Sequence, residues 1–309
     1  MESLAHVAWP TKITMAGVSP PAGATADGVR FTTIASGFGA LEGPTYGADG
    51  TLYVGDLKAR CVLAIPHGGH ARKVLDRDGV GGICLHGSGG LVLSGSSVVH
   101  WRDGEERPLV GPDDVPDRRG GRTVGFNDLV ADGDGCVVVG VLRNGTDGSP
   151  TSGELLRVTG PHEVTVLHDD IHPNGLAFSA DGRRLFASDT FGGRIVVFDC
   201  PRNGMPVPVG EISTSGIRGF PDGLATDEDD GIWAAFYRGA CVVRFDAGGK
   251  DRDELAVPAL KPLSLCFGGH DMRTLTVVTG ADGEGRGETG SVLTLPVAVA
   301  GSPVAVATI

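Results

Sequence analysis

Short apolar runs, each about five residues long, recur along the whole chain and come in pairs separated by a polar reverse turn. The second run of each pair follows Asp49-Gly50, Gly89-Gly90, Asp134-Gly135, Asp181-Gly182, Asp230-Gly231 and His270-Asp271, giving LYVGD, LVLSG, CVVVG, RLFASD, IWAAF and TLTVV. Asp-Gly between two apolar runs is a strong hairpin signal, because such residues tolerate the left-handed backbone of a tight turn. The turn into the first run falls at Glu42, Gly82, Asn127, Asn174, Asp222 and Leu263, at spacings of about 40, 45, 47, 48 and 41 residues. That period is the length of a four-stranded propeller blade. A further strand closes each copy, as in RIVVFD, CVVRFD and SVLTLP. Six copies predict an all-β, six-bladed β-propeller around a central channel, and no segment carries a sustained helical apolar period.

A propeller ring is sealed when one blade takes strands from both ends of the chain. The segment VRFTTIAS from Val29 is therefore predicted to pair with the C-terminal strands. Residues 1–29, with Pro20-Pro21 in Ala/Gly-rich surroundings, read as an N-terminal arm, and 30–309 as a single propeller domain. The 51 glycines in 309 residues agree with a turn-rich β protein.

The formal net charge of -12, without a Lys/Arg cluster, argues against nucleic acid and anionic membrane as partners and reads as serving solubility. No basic segment followed by an apolar one opens the chain, and no apolar stretch reaches membrane-spanning length, so the expected location is the cytoplasm. Cys61, Cys84, Cys136, Cys200, Cys241 and Cys266 have no paired spacing and mostly sit in apolar runs, which reads as reduced core thiols.

Polar residues at one place in several copies are the informative ones in an array held together by apolar positions. Glu42, Asn127, Asn174 and Asp222 occupy such a place, the entry to the innermost strand, which in a propeller faces the channel. Two carboxylates neutralise a divalent cation while amide oxygens add neutral hard ligands, a set suited to Ca²⁺, Mg²⁺ or Mn²⁺. The lack of His and Cys disfavours a structural zinc site. Asn and Asp also favour turns, but turn preference does not account for Glu42.

These residues lie in LEGPTYGADGTLYVGD, GFNDLVADGDGCVVVG, HPNGLAFSADGRRLFASDT and FPDGLATDEDDGIWAAFYRGACVVRFD, and KPLSLCFGGHDMRTLTVVT follows near the end. Together they resemble the senescence marker protein/gluconolactonase family, regucalcin-like and related to the diisopropyl fluorophosphatase propellers, over about residues 38 to 300. The resemblance implies that Glu42, Asn174 and Asp222 bind a catalytic divalent metal, that Asn127 is a further ligand or substrate contact, and that the substrate is a small molecule. It also implies a departure. Members acting on sugar lactones typically carry an Arg two residues before that Asn to grip hydroxyls, where this chain has Gly125, with Arg122 off register.

The function expected on this footing is a divalent-metal-dependent hydrolase that opens a lactone through a metal-activated water. Asp222, or a water it orients, supplies the nucleophile, and Asn127 assists. The ion is calcium before magnesium, manganese, zinc or iron. Alternatives are a phosphotriesterase or a metabolite-tailoring isomerase or cyclase on the same site, and a non-catalytic calcium-binding propeller. His172, two residues before Asn174, is a candidate for the pocket mouth and for proton transfer. Asp189 and His86 read as packing or hairpin residues, and Asp128, expected to face away from its neighbour Asn127 by strand alternation, reads as a turn or supporting residue. GADGEGRGETG from Gly280 reads as a surface loop, not a calcium loop.

Overall fold

The computed structural model describes residues 30–116, 121–201, 204–282 and 289–309. They form six antiparallel sheets of four ordered strands, blade 3 carrying one extra short strand. Counted from the channel outward, blade 1 is Leu41–Tyr46, Leu52–Asp56, Cys61–Ile65 and Arg72–Asp76. The innermost strands of the next five blades are Ile83–Leu85, Arg122–Ala131, Pro173–Phe178, Phe220–Thr226 and Pro262–Gly268. Each packs beside the innermost strand of the next blade, and that of blade 6 returns to that of blade 1, closing a six-bladed β-propeller. Blade 6 takes Thr32–Phe38 as its outermost strand, antiparallel to Gly290–Pro296, which is the predicted seal. The N-terminal arm and part of the 280–290 run lie outside the described residues. The only helical element among the described residues is the 3-10 turn Pro112–Asp114, and no described helix is long and apolar enough to cross a membrane.

The middle strands are buried on both faces, as in Cys61–Ile65 and Cys241–Phe245, which is why they read as continuous apolar runs rather than alternating ones. Their side chains meet between blades. Six apolar clusters each join two consecutive blades, one packing Val62, Ile83, Leu91 and Val99 between blades 1 and 2 and another closing the circle with Leu41, Val54, Val278 and Val292. The cysteines are free thiols inside or beside these clusters. Burial pushes the Cys84 and Cys241 thiols up to about 12.

The turns form as their sequences require. Gly50, Gly135 and Gly182 take left-handed φ values of 78°, 79° and 69°, and the turn aspartates cap the backbone, Asp49 and Asp181 accepting from Thr51 and Arg183. Blade 5 has one more turn residue, and there Asp230 itself adopts φ 60°.

Two features govern the channel. In five blades the ladder breaks at the strand entry, between Glu42 and Thr45, Phe126 and Leu129, Pro173 and Leu176, Pro221 and Leu224, and Pro262 and Ser264. Such bulges twist a strand and re-aim its side chains. Glycines next to the breaks then let neighbouring backbones touch. A Cβ on Gly175 would fall on the backbone of Asp222 and Leu224, and one on Gly223 would lie 2.5 Å from the Ser264 Cα.

At the opposite end the last residues cross the hairpin turns. Ser302 donates its N–H to Thr226 O of blade 5, Ala307 to Leu85 O of blade 2 and Thr308 to Gly135 O of blade 3. His86 Nδ1 accepts the Ser88 N–H at 3.1 Å, so its Nε2 carries the hydrogen and donates to Ile309 O at 3.0 Å. His86 thus follows the innermost strand of blade 2 at its hairpin turn, in keeping with the hairpin role expected of it, and anchors this strap. With the strap across the hairpin end, the strand-entry end is the approach to the channel.

Because the atoms facing Gly175 are backbone, they cannot turn aside. Gly175→Ala is expected to cost about 1–3 kcal/mol or more through overpacking and to lower the denaturation midpoint without changing the slope in urea. An unchanged midpoint would show that the innermost strands have slack.

Candidate active site

The ring brings the four strand-entry residues from blades 1, 3, 4 and 5 to one end of the channel. Asp222 is 1% exposed and Asn174 8% exposed. Glu42 and Asn127 keep partial contact with solvent along the channel. Both oxygens of Asp222 are buried and neither receives a hydrogen bond of proper geometry. The Asn174 side chain lies beside Asp222 and favours its ionised form, but burial and the charge of Asp128 outweigh this and raise the Asp222 carboxyl well above the usual range. Glu42 is raised by desolvation, by Asp222 and by Asp128. The carboxylates of blades 1, 3 and 5 therefore feel one another.

Asp128 takes the turn role expected of it, but close to the cluster: the break between Phe126 and Leu129 takes it and Asn127 out of the ladder, and its charge reaches Glu42 and Asp222. Its carboxylate accepts the Leu129 N–H at 2.8 Å and, across the blade boundary, the Leu176 N–H at 3.3 Å. Desolvation still raises it to about 7 against those two hydrogen bonds. Asn127 donates its Nδ2 to Pro173 O at 3.0 Å, which fixes the amide and leaves Oδ1 as an acceptor. Gly81 and Gly82 of blade 2 make the room, since a Cβ on Gly81 would lie 2.5 Å from Asn127 Oδ1 and one on Gly82 within 2.9 Å of the Asp128 Cα. The Gly82 and Leu263 positions bring no polar side chain to the cluster.

His172 is also at this end. Its backbone N–H donates to Asp189 Oδ1 at 3.0 Å, and its Nδ1 is 3.5 Å from the same oxygen. Burial alone would raise Asp189, but His172, Arg194 and Gly192 all donate to it and hold it down to about 2. Asp189 is thus a permanent anion that anchors the residue before the strand entry. Gly125 is buried in blade 3 and opposite Leu142, while Arg122 is exposed at the strand tip opposite Asn144.

Among the described residues no three His, Cys, Asp or Glu side chains are grouped as a ready metal cage. The candidate donors are instead Glu42 and Asp222 with the amides Asn127 and Asn174. The chemistry of that set fits a hard divalent cation, and the clearest sign is Asp222, because an ionised carboxylate buried without a partner costs several kcal/mol.

The SMP-30/Gluconolactonase/LRE-like region model matches residues 41–281. The chain therefore belongs to that family of propellers. It is 30% identical over 239 residues to the pentonolactonase of Haloferax volcanii, covering 72% of this chain and 78% of that protein. Among solved structures, a luciferin-regenerating enzyme superposes with TM-score 0.77 at 22% identity, over 91% of this chain and 100% of the other. A calcium-binding regucalcin from Agrobacterium tumefaciens superposes with TM-score 0.74 at 21% identity, over 88% and 95%. These structural likenesses agree with the six-bladed ring.

In metal-free protein the raised carboxyls fix the sign of the pH dependence. Each has a folded pKa above its unfolded value near about 4, so its contribution is full below that value and is lost as pH rises through the folded pKa, about 7 for Asp128. Chelator-treated protein should melt lower at pH 8 than at pH 6, and excess calcium should shrink the gap. A gap that calcium leaves unchanged would mean that the cluster meets no cation.

Proposed function

We propose that this chain hydrolyses a lactone at the strand-entry end of its channel, with a divalent ion, calcium first, held by Glu42, Asn127, Asn174 and Asp222. The chain is an enzyme of the lactonase type, as its family and its lactonase relative indicate. The metal and the assignment of roles are our reading. The observation that carries it is the buried, unpartnered Asp222 carboxylate with Glu42 and Asp128 in electrostatic reach. When bound, such an ion polarises the ester carbonyl and offsets the charge that develops on its oxygen.

The remaining chemistry belongs to the protein's own groups. Water attacks the acyl carbon, its oxygen forms the new C–O bond, the ring C–O bond breaks, and a proton ends on the leaving alkoxide to give a hydroxy acid. Asp222 aligns the water and takes its proton at a carboxylate oxygen, the role of a general base. Glu42 serves mainly as a ligand. Asn127, with its Nδ2 committed to Pro173 O, offers Oδ1 to the ion or to a substrate hydroxyl. Asp128 ties the strand entries of blades 3 and 4 through the Leu176 N–H and adds negative potential that draws a cation in. His172 stands at the approach, 32% of its side chain exposed, close enough to the mouth to exchange a proton with the product.

The two acids then separate experimentally. Asp222→Asn keeps an oxygen ligand and loses a base, so kcat should fall by roughly 10²-fold or more at saturating metal. Glu42→Gln should lose metal affinity and recover most of its kcat in excess calcium. If excess metal restores both variants equally, Asp222 acts only as a ligand.

Occupancy should also appear as stability, because an ion gripped by four blades binds the folded ring alone. Saturation at a hundredfold excess over Kd adds about 2.7 kcal/mol, so chelation of calcium-loaded protein should lower Tm by several degrees. Asp222→Ala should abolish that response, and a response equal to wild type would place the ion elsewhere.

A further inference from the structure

The channel mouth is chemically lopsided. In each blade the entry to the innermost strand and the turn between the second and third strands lie at the same end, so both contribute to the mouth. In blades 4 and 5 these places carry His172, Phe191, Phe220 and Tyr237. The His172 ring meets the Phe191 ring edge to face at 4.9 Å between centroids, and Phe191 meets Phe220 in the same manner at 6.3 Å. Tyr237 is the ladder partner of Phe220, and all four residues are half-buried. In blade 2 the corresponding strand entry is Gly82, which offers no side chain to a ligand, and blade 3 brings only the amide of Asn127 and the Asp128 carboxylate, both set at the cation cluster.

The aromatic side is held in place from beneath. Thr190, next to Phe191, donates its hydroxyl to Pro221 O at 3.0 Å, and Ser188 donates to Asp222 O at 2.7 Å. The turn bearing Phe191 is thus bonded to the strand bearing Phe220 and Asp222. Asp189 fixes His172 on the same blade. A wall so fastened keeps its position relative to the carboxylate that performs the chemistry.

Half-buried rings beside a reacting centre recognise apolar surface, and ring pairs of this kind favour a further edge or face contact. A substrate rich in hydroxyls would instead need donors and acceptors along its substituents, which Phe191 and Phe220 do not supply. We propose that His172, Phe191 and Phe220 form a specificity wall that selects a lactone bearing an aryl or alkyl substituent on its ring. The inference rests on the lactonase reading and names the substrate class for that same site. The lactone carbonyl faces Asp222, and the substituent lies against Phe191 and Phe220 across the boundary of blades 4 and 5.

The test is a six-membered series that differs only in what the ring carries: δ-valerolactone, phenyl-substituted δ-valerolactone and glucono-δ-lactone. With calcium-loaded full-length protein, kcat/KM for the phenyl compound should exceed that for glucono-δ-lactone by roughly tenfold or more, the scale set by apolar contacts in a pocket. Phe191→Ala and Phe220→Ala should reduce kcat/KM on the phenyl compound through KM, by a factor at least several times larger than on δ-valerolactone. Phe191→Leu, which keeps apolar volume but removes the ring face, should show part of that loss and guards against a folding artefact. Glucono-δ-lactone as the best substrate, or equal losses on the phenyl and unsubstituted rings, would overturn the wall and leave the lactonase reading intact. If no lactone is hydrolysed, the lactonase reading fails. Calorimetric binding of phenyl-substituted δ-valerolactam against gluconolactam then decides the wall by itself, with preference for the phenyl lactam supporting it and its absence overturning it.

Discussion

No blade of this protein can cover its own faces. The middle strands are apolar on both sides, and each of the six cores is assembled from two neighbouring blades, so a blade outside the ring would expose both faces to water. Closure by Thr32–Phe38 completes the last of these cores as well as a sheet. The same demand presses the innermost strands together around the axis, where side chains of ordinary size do not fit. Glycine at positions 43, 82, 175 and 223 and the broken ladders at the strand entries answer that crowding, and their joint effect is to turn the residue at the break out of its sheet. The candidate active site is in this sense a by-product of ring closure.

That origin explains how charges are brought together at a cost no small domain would bear. Glu42, Asp128 and Asp222 come from blades 1, 3 and 5; burial raises the proton affinity of all three, Asp128 adds to that of Asp222, and both add to that of Glu42. Apolar burial distributed over the whole ring offsets their repulsion, so the unfavourable term can persist until a cation or a proton relieves it. Asp222 expresses this most sharply, since its neighbours supply no hydrogen bond to its oxygens. A local motif could not hold such a group, whereas a closed ring fixes it from both flanking blades.

Much of this was legible in the sequence because it repeats. The hairpin turns, the blade period, the sealing strand and the shared position of Glu42, Asn127, Asn174 and Asp222 are each copied around the ring, and copies reinforce one another. What did not repeat was missed. The reach of Asp128 to Glu42 and Asp222 was missed, because the ladder break beside it leaves no mark in composition. The strap from 297 to 309 has no equivalent in other blades, and its bonds to Leu85 and Gly135 depend on a chain path that no local pattern encodes. Phe191 sits in a turn present in every blade but aromatic in few, so only the fold reveals that it adjoins Phe220. Asp189 read as a hairpin residue, and it is one, but its hydrogen bond to His172 also shapes the approach to the site.

The division between repeated and unrepeated residues is also a division of labour. The strand entries are constrained by the crowding at the axis, so their chemistry varies little without threatening the ring, and they are where charge can be held rigidly. The described residues of the turns between second and third strands belong to none of the six apolar clusters. A change of side chain there leaves the six cores untouched. On the proposed reading, substrate choice is free to change by substitution at a turn position such as 191, while the carboxylates and amides below stay in place. Gly125 lies on the other side of that line, buried within the strand of blade 3 as the ladder partner of Leu142. On the proposed reading, then, polarity at the mouth is altered at Phe191 without a change to any of the six cores.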